Sequence, residues 1–409
     1  MIGSELPKGW KEVKLSDLAE IQSGGTPSRS NTAYWNGNIP WVKISDIKGK
    51  YVTETEEFIT EEGLMNSSAK MFERGAILFS IFATIGKVAI LDIDATTNQA
   101  LVGLKNNELV DKSFLVYALI ELSERISNLG KGVAQKNINI SILKDVRIPL
   151  PPLTEQKQIA EKLDKLFDQI ETIKEASNKI PELLKNFRQQ VLTYAVTGKL
   201  TDSDYESWEL KTLDEIAIPK AGYAFKATDF IDNGIQVIRM GNLYDNKLSL
   251  DRNPVFVPKN YDTDIIERSR VKRNDILLTL TGTKYKRDYG YAIKIDTDEV
   301  LLLNQRILSL TPLIDPDYLL LVLRSDEFRN QFFEFETGGV NQGNVGVKNV
   351  MTIKLHIPSF DIQEEIVRRT RVLFNTLDNV ERKYKILCEK LNQLPQALLC
   401  KAFKGELIL

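Results

Sequence analysis

"IPLPPLTEQKQIAEKLDKLF", Ile148 to Phe167, joins a proline-rich extended stretch directly to a strongly patterned helix. In that helix Ile159, Leu163, Leu166, Ile170 and Ile173 alternate by four and three. The register continues through Ser177, Ile180, Leu184, Phe187 and Val191. An apolar residue alternating in this way is the seam of a coiled coil. The same change of pattern recurs in "IPSFDIQEEIVRRTRVLF", Ile357 to Phe374. There the stripe is Ile366, Thr370, Leu373, Leu377, Val380, Tyr384, Leu387, Leu391 and Leu394. Thr154 and Asp361 are the expected N-caps, and Asp361 with Glu364 has capping-box spacing. Pro181 and Pro395 are expected to kink or break the helices, because each removes a backbone donor. The alternative is two amphipathic helices packed on their own domains, although a strict two-position stripe is narrower than the face a globular core usually wants.

Outward from these helices the chain is written twice. "GWKEVKLSDLAEI" near the start returns as "SWELKTLDEIAI", so that Trp10 matches Trp208 and Leu15 matches Leu213. "IPWVKISDI" is answered by "IQVIRMGNL", "NQALVGL" by "NQRILSL", "DKSFLVYALI" by "DPDYLLLVLR", and "VLTYAVTGKL" by "ALLCKAFKGEL". Conserved order throughout implies duplication. The expected organisation is a globular domain over 1–152, a helical spacer over 153–200, a second such domain over 201–360 and a second spacer over 361–409. Short apolar stretches such as "AILFSIFA" and "DILLTLTG", bounded by Gly, Asn and Asp, read as strands, and Asp111–Leu129 and Asp315–Phe335 read as helices. The expected fold class is therefore α+β. Two similar mixed α/β domains are separated by two long helices that form an antiparallel coiled coil, with a pseudo-twofold internal repeat. At about 1.5 Å per residue, Thr154 to Ile180 spans about 40 Å.

The chain of 409 residues has room for two or three cored domains. No apolar run reaches membrane-spanning length, and the N-terminus lacks the pattern of a secretory signal. Cys388 and Cys400 make no disulfide framework, which fits a reducing cytoplasm. The single His356 and two distant cysteines argue against a zinc site. Net charge is −2, yet Arg268 to Arg287 holds seven Lys/Arg against one acid, Asp275, and Lys131 to Arg147 holds four against Asp145. Basic islands in a balanced chain suit a nucleic-acid surface, since only the face that meets phosphate must be basic.

Catalytic patterns fail. "NPVF", Asn253 to Phe256, departs from an adenine methyltransferase motif at Val255, with no glycine-rich cofactor loop to accompany it. "IGKV" around Lys87 is not a phosphate loop. Glu155, at a helix start, reads as favourable to the helix dipole. No metal and no cofactor are expected. Binding signals fare better. "TGTKYKRDYG" interleaves Lys284, Lys286 and Arg287 with Tyr285, a set suited to phosphates and guanine edges, or else a solvated charged hairpin. "GKGVAQKNI" and "TGGVNQGNV" offer Lys131, Gln135, Lys136 and Asn137, and Asn341, Gln342 and Asn344, on glycine-rich backbone; a polar turn is the plain alternative. Thr26 and Arg29 lie in a long polar loop, "SGGTPSRSNTAYW", that either makes another contact or only turns.

The combination "GWKEVKLSDLAEIQSGGTP…YWNGNIPWV", "ATIGKVAI", "GVAQKNI…IPLPPLTEQKQIAEKLD" and "VLTYAVTGKL", repeated with "IPSFDIQEEI" and "LPQALLCKAFKGEL", resembles the DNA-specificity subunit of type I restriction–modification systems. The resemblance implies two target-recognition domains and no catalytic centre. It implies double-stranded DNA, two modification (methyltransferase) subunits and motor-nuclease restriction subunits as partners, and a bipartite, non-palindromic site. "IPSFDIQEE" departs from the pattern by lacking the Pro-Pro pair and the Glu before Gln363. From the residues alone, a coiled-coil adaptor that organises partners without reading sequence remains the alternative, and an enzyme in its own right the third.

Overall fold

A computed structural model describes residues 6–82, 84–129, 138–339 and 342–408. Six helices carry the argument: α1 (Lys112–Leu129), α2 (Leu153–Ser177), α3 (Ile180–Val196), α4 (Pro316–Arg324), α5 (Asp326–Glu334) and α6 (Phe360–Ala402). The chain divides into two compact units. The first holds Met1–Asn178 and Ile386–Leu409; the second holds Lys179–Lys385. Each helical region therefore begins in one unit and ends in the other.

In the first unit, a five-stranded sheet has the order Ala19–Ser23, Leu101–Asn106, Ile77–Ser80, Val88–Leu91, Tyr51–Val52. A four-stranded sheet is centred on Trp35–Val42 and Ala95–Thr97, which run parallel. The second unit repeats the plan with Ala217–Ala221, Ile307–Pro312, Ile276–Thr279 and Ala292–Lys294 in one sheet, and with Ile235–Ile238 parallel to Leu301–Leu303 in another. A two-stranded ribbon closes each globular part: Lys11–Lys14 pairs with Arg147–Leu150, and Glu209–Thr212 with Lys354–Ile357. The last strand so ends beside the first, and the long helix leaves from that point. Pro149 is tolerated there because a ribbon strand need not donate on both edges.

The start of each long helix is held by a buried glutamine. Gln156 Nε2 donates to Pro151 O (2.9 Å) and Leu109 O (3.1 Å), while its Oε1 accepts from Asp111 N (2.8 Å). Gln363 Nε2 donates to Pro358 O (2.8 Å), and its Oε1 accepts from Asp315 N (3.1 Å). Asp111 and Asp315 in turn cap α1 and α4, accepting from Phe114 N and Tyr318 N. The departures at 358–362 thus leave this lock intact, because it needs the Gln side chain and one backbone carbonyl, not the Pro-Pro pair.

Four local expectations are corrected. Thr154 and Asp361 lie inside the first turns of α2 and α6, not at the caps. Asp315–Phe335 is two helices, since Ser325 takes an extended conformation (ψ 157°) and its hydroxyl caps α5 by accepting from Phe328 N. Pro181 does mark a break: α2 ends at Ser177, and Pro181 sits in the first turn of α3, where its missing N–H has no partner to lose. Helix α6 instead runs through Pro395 unbroken, with Leu391 and Leu399 buried on either side.

Each stripe serves a globular core at its start. Ile159 and Leu163 are buried in the first unit's core, with Leu166 packed against it, and Ile366 is buried in the second's. Ile170 and Leu377 are buried and Leu373 half-buried, but Ile173, Val380 and Leu387 are exposed. The stripe is therefore not sealed along its length. Within each unit the two helical regions run antiparallel. In the second, Arg188 pairs with Asp378 and with Glu381 (3.3 Å), and Arg369 donates to Leu200 O (2.9 Å). In the first, Lys162, the repeat partner of Arg369, donates to Leu407 O (2.6 Å). The end of α6 and the residues after it place Leu399, Ala402, Phe403 and Leu407 in the first core, with the Phe403 ring 5.2 Å from that of Phe114. Leu192, Ala195 and Val196 of α3 do the same in the second. Both regions turn at a left-handed glycine, Gly198 (φ 73°) and Gly405 (φ 74°), where a side chain would be strained.

Candidate nucleic-acid interface

The second unit gathers most of the sequence candidates. Thr281–Gly282 pairs with Gly343–Asn344, so the basic loop and the glycine-rich segment form one small ribbon. Lys284 Nζ donates to Gly338 O (3.0 Å), and its charge lies 5.2 Å from the Tyr285 ring. Asn344 exchanges backbone bonds with Thr337. Gly343 lies under Tyr289, whose hydroxyl donates to Glu336 (2.7 Å); a Cβ there would meet that hydroxyl at 2.7 Å. Tyr285 (φ 67°) and Arg287 (φ 51°) adopt left-handed backbone, a cost that non-glycine residues accept only where the surroundings impose it. The loop presents Tyr285 at 78 % exposure, with Lys286 and Arg287 also exposed; Arg287 reaches Asn330 (3.3 Å). Gln342 is exposed beside them.

The basic island read from the sequence splits in space. Arg273 is held by Asp296 and Asp298, both at 2.8 Å, and is neutralised. Asp275 is buried and accepts from Ser309 and Thr311. Lys286 and Arg287 stay exposed at the loop end, as do Arg268 and Lys272 at the other end of the island.

Beside this ribbon lies a cleft of about 470 Å³ that the sequence reading missed. Its polar lining includes Arg239, Arg252, Asn253, Asn304, Gln305 and Arg306. The two adjoin through the backbone, since Leu280 N donates to Arg306 O (3.3 Å) immediately before the basic loop. Arg239 donates to Asn253 O (2.8 Å), fixing one wall. A signal existed: the Asn-Gln pair recurs at 98–99 and 304–305, in a part of the repeat otherwise made of core residues. These two turns are built alike. Asn98 N donates to Val42 O and Asn304 N to Ile238 O, both at 3.1 Å.

Among its described residues, the first unit repeats some of these backbone bonds with different charged side chains around them. Ile138 N donates to Ile81 O (3.1 Å), as Val345 N does to Leu280 O (2.9 Å). Thr26 bonds Gln99, at the position of Gln305 in the repeat. Arg29 lies 3.6 Å from the centre of the Trp35 ring and 4.9 Å from that of Trp41. Its guanidinium pairs with Glu57 (2.5 Å), and that bond holds the Glu57 carboxyl below its ordinary range. Arg29 is thus a pre-oriented, half-exposed cation whose charge is shared with a carboxylate. Lys87 is turned inward, donating to Ile47 O (3.2 Å). Lys131, Gln135, Lys136 and Asn137, and Asn341 in the second unit, lie outside the described residues. His356 serves structure, with Nδ1 2.7 Å from the Tyr205 hydroxyl. No group of three His, Cys, Asp or Glu suited to a metal ion occurs among the described residues, and no helix there is long and apolar enough to cross a membrane.

Fold and site together define an internally duplicated, helix-linked mixed α/β protein with a polar, basic edge. The chain belongs to the type I restriction modification DNA specificity domain family, whose model matches residues 7–182 and 205–389. It is 31 % identical to the type I restriction enzyme EcoBI specificity subunit of Escherichia coli, over 97 % of this chain and 86 % of that one. It is 25 % identical to the EcoKI specificity subunit of Escherichia coli strain K12, over 100 % and 91 %. The fold matches that of the HsdS subunit from Thermoanaerobacter tengcongensis with a TM-score of 0.70 at 17 % identity, covering 98 % of both chains.

Proposed function

We propose that this chain is the non-catalytic DNA-reading subunit of a type I restriction–modification complex, with each unit reading one half of a bipartite, non-palindromic site. The observation that carries this is the edge built from the Asn-Gln turn and the adjoining loop. Among the described residues, its backbone hydrogen bonds at the Asn-Gln turn and at Ile138 and Val345 recur in both units, while the charged side chains around them differ. Arg239, Arg252, Arg306, Lys286 and Arg287 supply cations in the second unit. Asn304 and Gln305 have the donor–acceptor pairs that read adenine bidentately, and arginine reads guanine in the same way. Thr26 and Arg29 serve the first unit, with Lys131, Gln135, Lys136 and Asn137 as further contacts; Lys284, Tyr285, Asn341, Gln342 and Asn344 complete the second. Unlike side chains on like frames make the half-sites differ. The helical regions dock two modification subunits, and restriction subunits join that assembly.

The test is the salt dependence of duplex binding by the chain assembled with its modification subunits. Each neutralised phosphate contributes about 0.9 to the slope of log K against log salt. Replacing Lys284, Lys286 and Arg287 by Ala together should lower that slope by about 2–3 and weaken binding at every salt concentration. An unchanged slope would remove this loop from the interface.

A further inference from the structure

In the second unit, α4 and α6 leave a groove of about 160 Å³ between them. Its floor is apolar, formed by Leu320, Leu321, Val367 and Phe374, with Asp317 and Arg371 at the rim. Thr370 also lines it. That residue is 2 % exposed, and its hydroxyl has no hydrogen-bond partner. Burial keeps that hydroxyl out of a ligand's reach, so the polar groups the groove offers are those at its rim.

The internal repeat shows what such a groove holds. The locks at Gln156 and Gln363, and at Asp111 and Asp315, align α1 with α4 and α2 with the start of α6. Under that alignment Tyr117 stands where Leu321 does, and Phe167 where Phe374 does. In the first unit the Tyr117 ring lies on Phe167, centroids 5.5 Å apart and planes 10° from parallel. Its hydroxyl donates to Asp164 (2.5 Å), and burial raises its pKa well above the ordinary phenol value. Leucine at 321 removes the ring and leaves its place open. Arg188 lies 5.7 Å from the Phe374 ring. An apolar cavity of about 150 Å³ is large enough to take a benzene ring.

We propose that the groove receives a tyrosine side chain from a modification subunit, its ring on Phe374 and its hydroxyl at the rim beside Arg371, the repeat position of Asp164. The identity of the partner rests on the function proposed above; the aromatic chemistry of the groove does not. The second unit thereby has a docking point that the first fills with its own Tyr117, and the two modification subunits are held unequally.

The probe is p-cresol, the tyrosine side-chain analogue, measured by saturation-transfer NMR on the full chain, alongside the affinity of the chain for its purified modification subunit. Wild type should bind p-cresol, and Leu321→Tyr should bind it at least tenfold more weakly while melting at or above the wild-type temperature. Arg371→Ala should lower the preference for p-cresol over toluene, a readout independent of whether the tyrosine variant folds. Leu321→Tyr should also weaken modification-subunit binding about tenfold. Absence of p-cresol binding to wild type overturns the groove's chemistry. Binding of p-cresol with full-strength assembly of Leu321→Tyr overturns the partner tyrosine as its occupant. Failure of wild type to bind any modification subunit would instead strike at the proposed function, with the p-cresol result standing on its own.

Discussion

Trp10 and Trp208 show how much one residue pair can hide. Both open a globular unit and both are buried. Trp10 Nε1 donates to Glu155 (3.0 Å), whereas Trp208 Nε1 is buried without a partner. The repeat places Ile362 where Glu155 stands. The pairing of the tryptophans was legible as a repeat of letters. The role of Glu155 was not, because a carboxylate at a helix start is sufficiently explained by the dipole until its partner, distant in sequence, is located. Ile362→Glu should restore the acceptor and place an acid in the first turn of α6, raising stability by about 1 kcal/mol, or a few degrees in Tm. Thermal unfolding of the full chain measures it; an unchanged or lower Tm would mean that the packing of Ile362 on the second core outweighs the restored bond.

The elements follow the same division between what pattern carries and what contact carries. Periodicity located the long helices and the break at Pro181, since apolar spacing and a missing donor are local properties. It did not locate the break at Ser325, where a short side chain capping its own backbone competes with an otherwise continuous amphipathic pattern. Nor could it show that Gln156 and Gln363 were more than polar letters inside a motif. Burial of those amides between a helix start and the N-cap of a globular helix fixes how the long helix leaves its domain. Gln156→Ala and Gln363→Ala each strand a buried N–H and a carbonyl, and each should cost about 2 kcal/mol in denaturant unfolding. Amide exchange at Asp111 should quicken only in the first variant and at Asp315 only in the second. Equal effects at both amides would contradict a local lock.

At the scale of the whole molecule, the first unit is closed by a segment far from it in sequence, and the second by the helix that immediately precedes its globular part. Phe403 lies in the core that begins at Trp10, and Leu192 in the core that begins at Trp208. Duplication made the four segments legible, but not that each helical region finishes in the other unit, because that is a property of tertiary packing. Phe403→Ala should cost about 3–5 kcal/mol and loosen the first unit to proteolysis, leaving the second resistant. Cleavage confined to the second unit would contradict that assignment. The candidate interface was half legible: the basic loop stood out by charge, while Arg239, Arg252 and Arg306 become neighbours only when separate strands meet. The central claim is that like frames bearing unlike side chains read the two halves of one site. Genome-wide mapping of methylated adenines tests it most directly, in a host carrying this chain and its modification subunits, before and after residues 201–360 are exchanged for those of another family member. The account predicts a bipartite motif in which the exchange rewrites one half and leaves the other half unchanged. A motif that is unaltered, or altered in both halves, would contradict it.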